Sequence, residues 1–131
     1  MQVCITASAL ATLRDAAQSA HPIEACGLLL GQGAAITRAQ ITANCAAEPA
    51  RHFEIDPAAL IAAHRAARAG GPALLGYFHS HPAGPAAPSP TDCAMAARDG
   101  RIWAIVAGNE VAFWRDTLSG FEPLSYGVVG G

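Results

Sequence analysis

The segment Gly76-Tyr77-Phe78-His79-Ser80-His81-Pro82 joins an apolar run to a pair of histidines, and Ser89-Pro90-Thr91-Asp92 follows seven residues later. Leu74, Leu75, Tyr77 and Phe78 lie between glycines and prolines, the composition of a buried strand. Residues i and i+2 of a strand share a face, so His79 and His81 project side by side and two imidazoles can hold one metal. Pro82, Pro85 and Pro88 stiffen the intervening loop by fixing φ, and the loop is short enough to return Asp92 over the strand end. Two histidines and one aspartate, with a fourth position left to water, are the ligand set of a catalytic zinc rather than a structural one. Each piece alone has a plainer reading. A His-x-His at a strand end is often a surface feature. Ser89 to Asp92 is also a capping box, with Ser89 as N-cap, Pro90 at N1 and an acid at N3. The conjunction points to a metal, and capping is compatible with it because a helix N-terminus favours a carboxylate.

The rest of the chain bounds the answer. Its 131 residues suit one domain, and 52% hydrophobic against 14% charged residues is ample for a packed core. The net charge is −2 and no basic patch stands out, which argues against a nucleic-acid partner. Apolar runs are too short to span a bilayer, and no basic segment precedes an apolar one at the N-terminus. A cytoplasmic protein without a membrane partner is expected. Cys4, Cys26, Cys45 and Cys93 form no Cys-x-x-Cys pair and read as small apolar residues in a reducing compartment. Cys26, two residues after Glu24, is a candidate to line a site but not a nucleophile.

Pattern predicts a strand over 2–6 and an amphipathic helix over 7–20, capped by Thr6 or Ser8 and ended by His21-Pro22. Strands follow over 25–31 and 34–43, with a short strand over 51–55. A helix starts at Asp56-Pro57 and runs to about residue 69. After the histidine strand come a helix over 90–98, a hairpin of 101–107 with 111–115, and an edge strand over 121–126. His21, His52 and His64 read as surface or packing residues, and Trp103 and Trp114 as core or interface aromatics.

His79-Ser80-His81, then seven residues, then Ser89-Pro90-Thr91-Asp92 resembles the signature of the JAMM (MPN+) metalloprotease family, with no departure at those positions. The family's upstream glutamate matches Glu24 in His21-Pro22-Ile23-Glu24-Ala25-Cys26-Gly27-Leu28-Leu29-Leu30-Gly31. By itself Glu24 reads as a solvated carboxylate at a strand start. The resemblance implies an α/β fold, a single MPN (JAMM) domain over 1–131 with a mixed, curved β-sheet flanked by helices and a cytidine-deaminase-like architecture. It implies one Zn2+ per chain on His79, His81 and Asp92, with Glu24 as general base and acid and Ser89 as a hydroxyl donor to the oxyanion. The implied activity is that of a zinc metallopeptidase. It cleaves the amide or isopeptide bond after the Gly-Gly C-terminus of a ubiquitin-like or sulfur-carrier protein. Short connections make the chain look like the minimal prokaryotic form. The alternative is a non-catalytic MPN scaffold, which typically lacks a ligand or the glutamate. A zinc deaminase would need His-x-Glu with Pro-Cys-x-x-Cys, which is absent. A homodimer is left open. Val128-Val129-Gly130-Gly131 is itself similar to a ubiquitin-like terminus, and a loose tail is expected there.

Overall fold

Local chemistry sets each element of the computed structural model, which describes residues 2–131. In β1 (Gln2–Thr6) the alternation buries Val3 and Ile5 completely. Thr6 Oγ1 then accepts from Ala9 N at 3.2 Å and starts α1 (Ala7–Ala20). Ala9, Leu10, Leu13 and Ala16 recur at helical spacing and form the buried stripe of that helix. Asp56 Oδ1 accepts from Ala58 N at 3.0 Å and, with Pro57 at the first position, starts α2 (Pro57–Arg68).

The strands form one mixed sheet. β2 (Cys26–Gln32) lies between β3 (Ala35–Thr42) and β4 (Ala73–Ser80), antiparallel to both. β4 runs parallel to β5 (Ile102–Ala107), which turns back into β6 (Glu110–Thr117) and then β7 (Gly120–Val129). β7 and β3 both pair in parallel with β1, so the sheet curls into a closed barrel. The continuous run Leu28-Leu29-Leu30 belongs to a strand covered on both faces. Leu29 packs with α1, Phe78 and Ala104; Leu28 and Leu30 pack with Ala63 and Leu60 of α2 and with Tyr77. Alternation along β4 therefore sends Phe78 and Ser80 toward α1, and Tyr77 and His79 toward the α2 side. Gly76 permits the close β4–β5 pairing, because a Cβ there would overlap the Ile102 carbonyl oxygen. Among the described residues no helix is long and apolar enough to cross a membrane.

Three expectations are corrected. Residues 51–55 are not a strand: only an Asn44–Ile55 bridge forms. Asn44 supplies the missing order with its side chain, donating from Nδ2 to the carbonyls of Glu24 and His52 and accepting at Oδ1 from Ala46 N and Glu54 N. The helix expected over 90–98 is shorter, α3 (Pro90–Met95), with Ala96 already extended. Arg98 takes a positive φ of 55°, and its N–H goes to Asp116 Oδ2 on β6 at 2.9 Å, a tertiary bond that replaces the helical one. The last strand is longer than expected and is no edge: β7 pairs with both β6 and β1. Val128 and Val129 are part of it, and beyond the strand Gly131 O accepts from Ser8 N at the start of α1, so the expected loose tail is half strand and its last carbonyl is tied to the helix start.

Candidate metal centre

Three separate elements deliver the side chains. β4 carries His79 to its end, and the parallel ladder continues one residue further, His81 N donating to Val106 O at 2.8 Å. The proline loop then turns over the strand end. Trp114 Nε1 donates to Ala86 O at 3.2 Å and ties the loop to β6. Ser89 caps α3 in a full capping box: Asp92 N donates to Ser89 Oγ at 3.0 Å and Ser89 N donates to Asp92 Oδ2 at 2.9 Å. That box aims the Asp92 carboxylate at the histidines.

Nε2 of His79 and Nε2 of His81 lie 3.0 Å apart, and each lies 3.1 Å from Asp92 Oδ2. His79 and Asp92 are buried. His81 Nδ1 sits 2.8 Å from the Pro85 carbonyl, which can only accept, so Nδ1 carries the proton and a neutral His81 presents a lone pair at Nε2. A lone pair facing a carboxylate oxygen at this distance repels unless positive charge lies between them. Burial lowers the pKa of His79, overriding the Asp92 carboxylate, and so works against supplying that charge as a proton there. Burial would also raise Asp92 and lower His81. Asp92 would accept a hydrogen bond from either Nε2 once protonated, and that outweighs burial, holding Asp92 well below the usual carboxylate range and His81 above its ordinary value. The triad could hold a divalent ion. A tetrahedral zinc with bonds of about 2.0–2.1 Å spaces its ligands about 3.3 Å apart, so the triangle needs to open only by a few tenths of an ångström.

Among the described residues the buried Nδ1 of His79 has no partner, so the outer hydrogen bond usual for a ligand imidazole is missing. Aromatic rings orient it instead. Phe53 stacks on it with centroids 4.2 Å apart and planes 15° apart, and Trp103 meets it edge-on at 5.6 Å. Phe53→Ala is expected to weaken metal binding about tenfold, the lower end of what outer contacts cost, read by competition with a chromophoric chelator.

Glu24 is buried, and desolvation raises its pKa to about 7, with the nearby His81 opposing and Asp92 adding to the shift. The backbone holds it on both sides: Glu24 N donates to Pro49 O at 2.8 Å and its carbonyl accepts from Asn44 Nδ2 at 3.0 Å. Ser80, facing away from the triad, accepts from Ala25 N at 2.8 Å through Oγ and anchors the next residue. A cleft of about 500 Å³ is lined by Glu24, Arg51, His81, Pro85 and Ser89. Residues distant in sequence thus share one cleft, with His79 and Asp92 behind His81.

The other histidines stay outside this cleft. His21 lines a neighbouring cavity of about 590 Å³ that touches His81, and His52 Nε2 lies 3.6 Å from Glu48. Cys26 pairs in register with His79, but burial raises its pKa and keeps it a thiol. Asn44, Phe53 and Trp103 had no sequence signal as site supports, because each acts through a contact that only the fold creates.

Residues 6–117 match the model of a family described as prokaryotic homologs of the JAB domain. A desampylase from Haloferax volcanii is 35% identical over 100 residues, covering 75% of this chain and 72% of the relative. A probable TtuB-protein conjugate cleaving protease from Thermus thermophilus is 36% identical over 101 residues, covering 70% of this chain and 68% of the relative. A solution structure of a protein from Desulfitobacterium hafniense superposes with a TM-score of 0.85 at 28% identity, covering 100% of this chain and 94% of that one.

Proposed function

The chain belongs to the family of prokaryotic homologs of the JAB domain and is a hydrolase; from that premise we propose that it is a zinc metallopeptidase releasing a ubiquitin-like or sulfur-carrier protein from its conjugates, by cutting the bond after a C-terminal Gly-Gly. The observation that carries this reading is the convergence of the His79–His81–Asp92 triangle with Glu24 and Ser89 at one cleft. His79, His81 and Asp92 hold the metal, one per chain. Zinc bound there supplies a Lewis acid that acidifies water and polarises a carbonyl.

Glu24 takes a proton from the attacking water and returns it to the leaving nitrogen. A carboxyl with a pKa of about 7 is suited to both halves of that exchange near neutrality. The Ser89 hydroxyl donates a hydrogen bond to the oxyanion and keeps its proton. Its Oγ already accepts from Asp92 N, which fixes the oxygen and leaves the O–H for that bond. A Gly-Gly tail suits such a cleft because it has no side chains and lies extended at low steric cost. Residues 1–131 act as one domain of this kind, in the cytoplasm. The chain contains no lysine, so it offers no side-chain amine on which an isopeptide could be built.

Ser89→Ala separates capping from catalysis. As an oxyanion donor, Ser89 is worth about 10²–10³ in kcat; as a cap alone, about 1 kcal/mol of stability. The expected result is both losses, read by turnover and by urea unfolding. A stability loss with unchanged turnover would remove Ser89 from the mechanism.

The test of the function itself is mass spectrometry of cleavage on carriers ending in Gly-Gly, joined through that terminus to cysteine or to a lysine side chain. Release that stops with chelator and returns with zinc is expected, and the preferred conjugate names the substrate class. A zinc-loaded protein that cleaves none of them would be a binding scaffold instead.

A further inference from the structure

On the far side of the His79 wall lies a second cavity, of about 240 Å³, that hydrolysis does not use. Its lining combines three aromatic rings, Phe53, Tyr77 and Trp103, with three carboxylates, Glu54, Asp99 and Asp116, and includes no cation. The rings are mutually braced: Trp103 meets Phe53 edge-on at 5.6 Å and Tyr77 at 6.4 Å. Aromatic faces attract organic cations through the ring quadrupole, and carboxylates beside them strengthen that attraction.

The carboxylates are not equally engaged. Asp99 is bound to Arg101 Nη1 at 3.0 Å. The Glu54 side chain has no hydrogen-bond or ion-pair partner among the described residues. Asp116 is fully buried; its Oδ2 accepts from Arg98 N and the Asp99 backbone N–H also supports the carboxyl, but among the described residues its Oδ1 has no donor. A buried carboxylate oxygen without a donor is costly, and an entering N–H would remove that cost. Burial also pushes Asp116 toward its protonated form, more than the Arg98 and Asp99 N–H groups and the Arg98 charge pull it back, and a further cation beside it would oppose that shift.

We propose that this cavity binds a guanidinium group, the side chain of an arginine on a bound polypeptide. Guanidinium fits better than ammonium for two reasons. It is planar and weakly hydrated, so it can lie against an aromatic surface at low desolvation cost, and its fork of donors can serve two carboxylates at once. Phe53 and Trp103 are shared with the His79 site. The occupant therefore sits one side-chain layer from the catalytic cleft, and we assign it to an arginine of the conjugate that the cleft holds. That last identity rests on the proposed function; the binding itself does not.

The experiment uses zinc-loaded protein and follows the Trp103 indole N–H by NMR, assigned with Trp114→Phe. Among the described residues Trp103 Nε1 has no hydrogen-bond partner, so its resonance reports directly on an occupant. N-acetyl-arginine amide, N-acetyl-citrulline amide, N-acetyl-leucine amide and free L-arginine are titrated in turn. Saturable movement with the blocked arginine, roughly tenfold tighter than with citrulline, is expected. Glu54→Gln should weaken it. So should Asp116→Asn, which still offers an acceptor to Arg98 N. Free arginine binding as tightly would keep the guanidinium site but name a small molecule as its source. No saturable movement, or leucine and citrulline binding as well as arginine, would overturn the proposal. Since no arm measures hydrolysis, failure here is distinct from failure to cleave conjugates.

Discussion

Glu24→Gln is expected to bind zinc as the parent does and to lose about 10²–10⁴ in turnover, the usual contribution of a positioned general base. Glutamine keeps the shape and the hydrogen-bonding carbonyl but cannot take a proton. The pH dependence has a definite sign. The base must be ionised, so the rate of the parent should rise with pH through the Glu24 pKa of about 7, and a cation at the triad moves that limb to lower pH. The variant should lack the limb. Stability should change in the opposite sense. Burial raises the folded-state pKa above the ordinary 4.5, so the Glu24 contribution is fully present below pH 4.5 and is lost as pH rises through about 7. Metal-free Glu24→Gln should therefore melt higher than metal-free parent at pH 8 and alike at pH 4. A variant that is inactive and also fails to bind zinc would place Glu24 among the ligands instead.

Asp92→Ala should be more severe, abolishing both zinc binding and turnover. Asp92 Oδ2 is the one atom that meets both imidazoles and the Ser89 N–H, so its removal takes a ligand, a helix cap and the negative charge that makes the site attractive to a cation. A readout independent of activity is thermal unfolding. Zinc at a thousand times its dissociation constant stabilises the parent by about 4 kcal/mol, which for a chain of this size corresponds to more than about 10 °C. That shift should vanish in Asp92→Ala and in His79→Ala. An undiminished zinc-induced shift in either variant would show that the ion binds elsewhere.

The triad was legible before the fold because its residues are close in sequence and each follows a local rule: two-residue alternation for His79 and His81, a capping box for Asp92. Glu24 was not legible from its neighbours. It precedes His79 by 55 positions, and nothing in the surrounding composition distinguishes it from a solvated carboxylate. Only the family resemblance pointed to it; in the fold it is buried, and burial raises its pKa. Phe53 sat in a segment whose alternation suggested a strand. Asn44 holds that segment with side-chain hydrogen bonds, and Phe53 turns out to stack on His79.

Periodicity and capping residues, read along the sequence alone, determined most of the elements and placed His79, His81 and Asp92 as a candidate triad, because those preferences are set within a few bonds of each residue. Tertiary structure decided the rest. It closed the barrel through β7 and β1, ended α3 early through Asp116, buried Glu24 at the cleft that His81 also lines and set His79 against Phe53 and Trp103. These outcomes depend on contacts between segments far apart in the chain. Burial and desolvation arise only when those segments pack, so no local pattern could encode them.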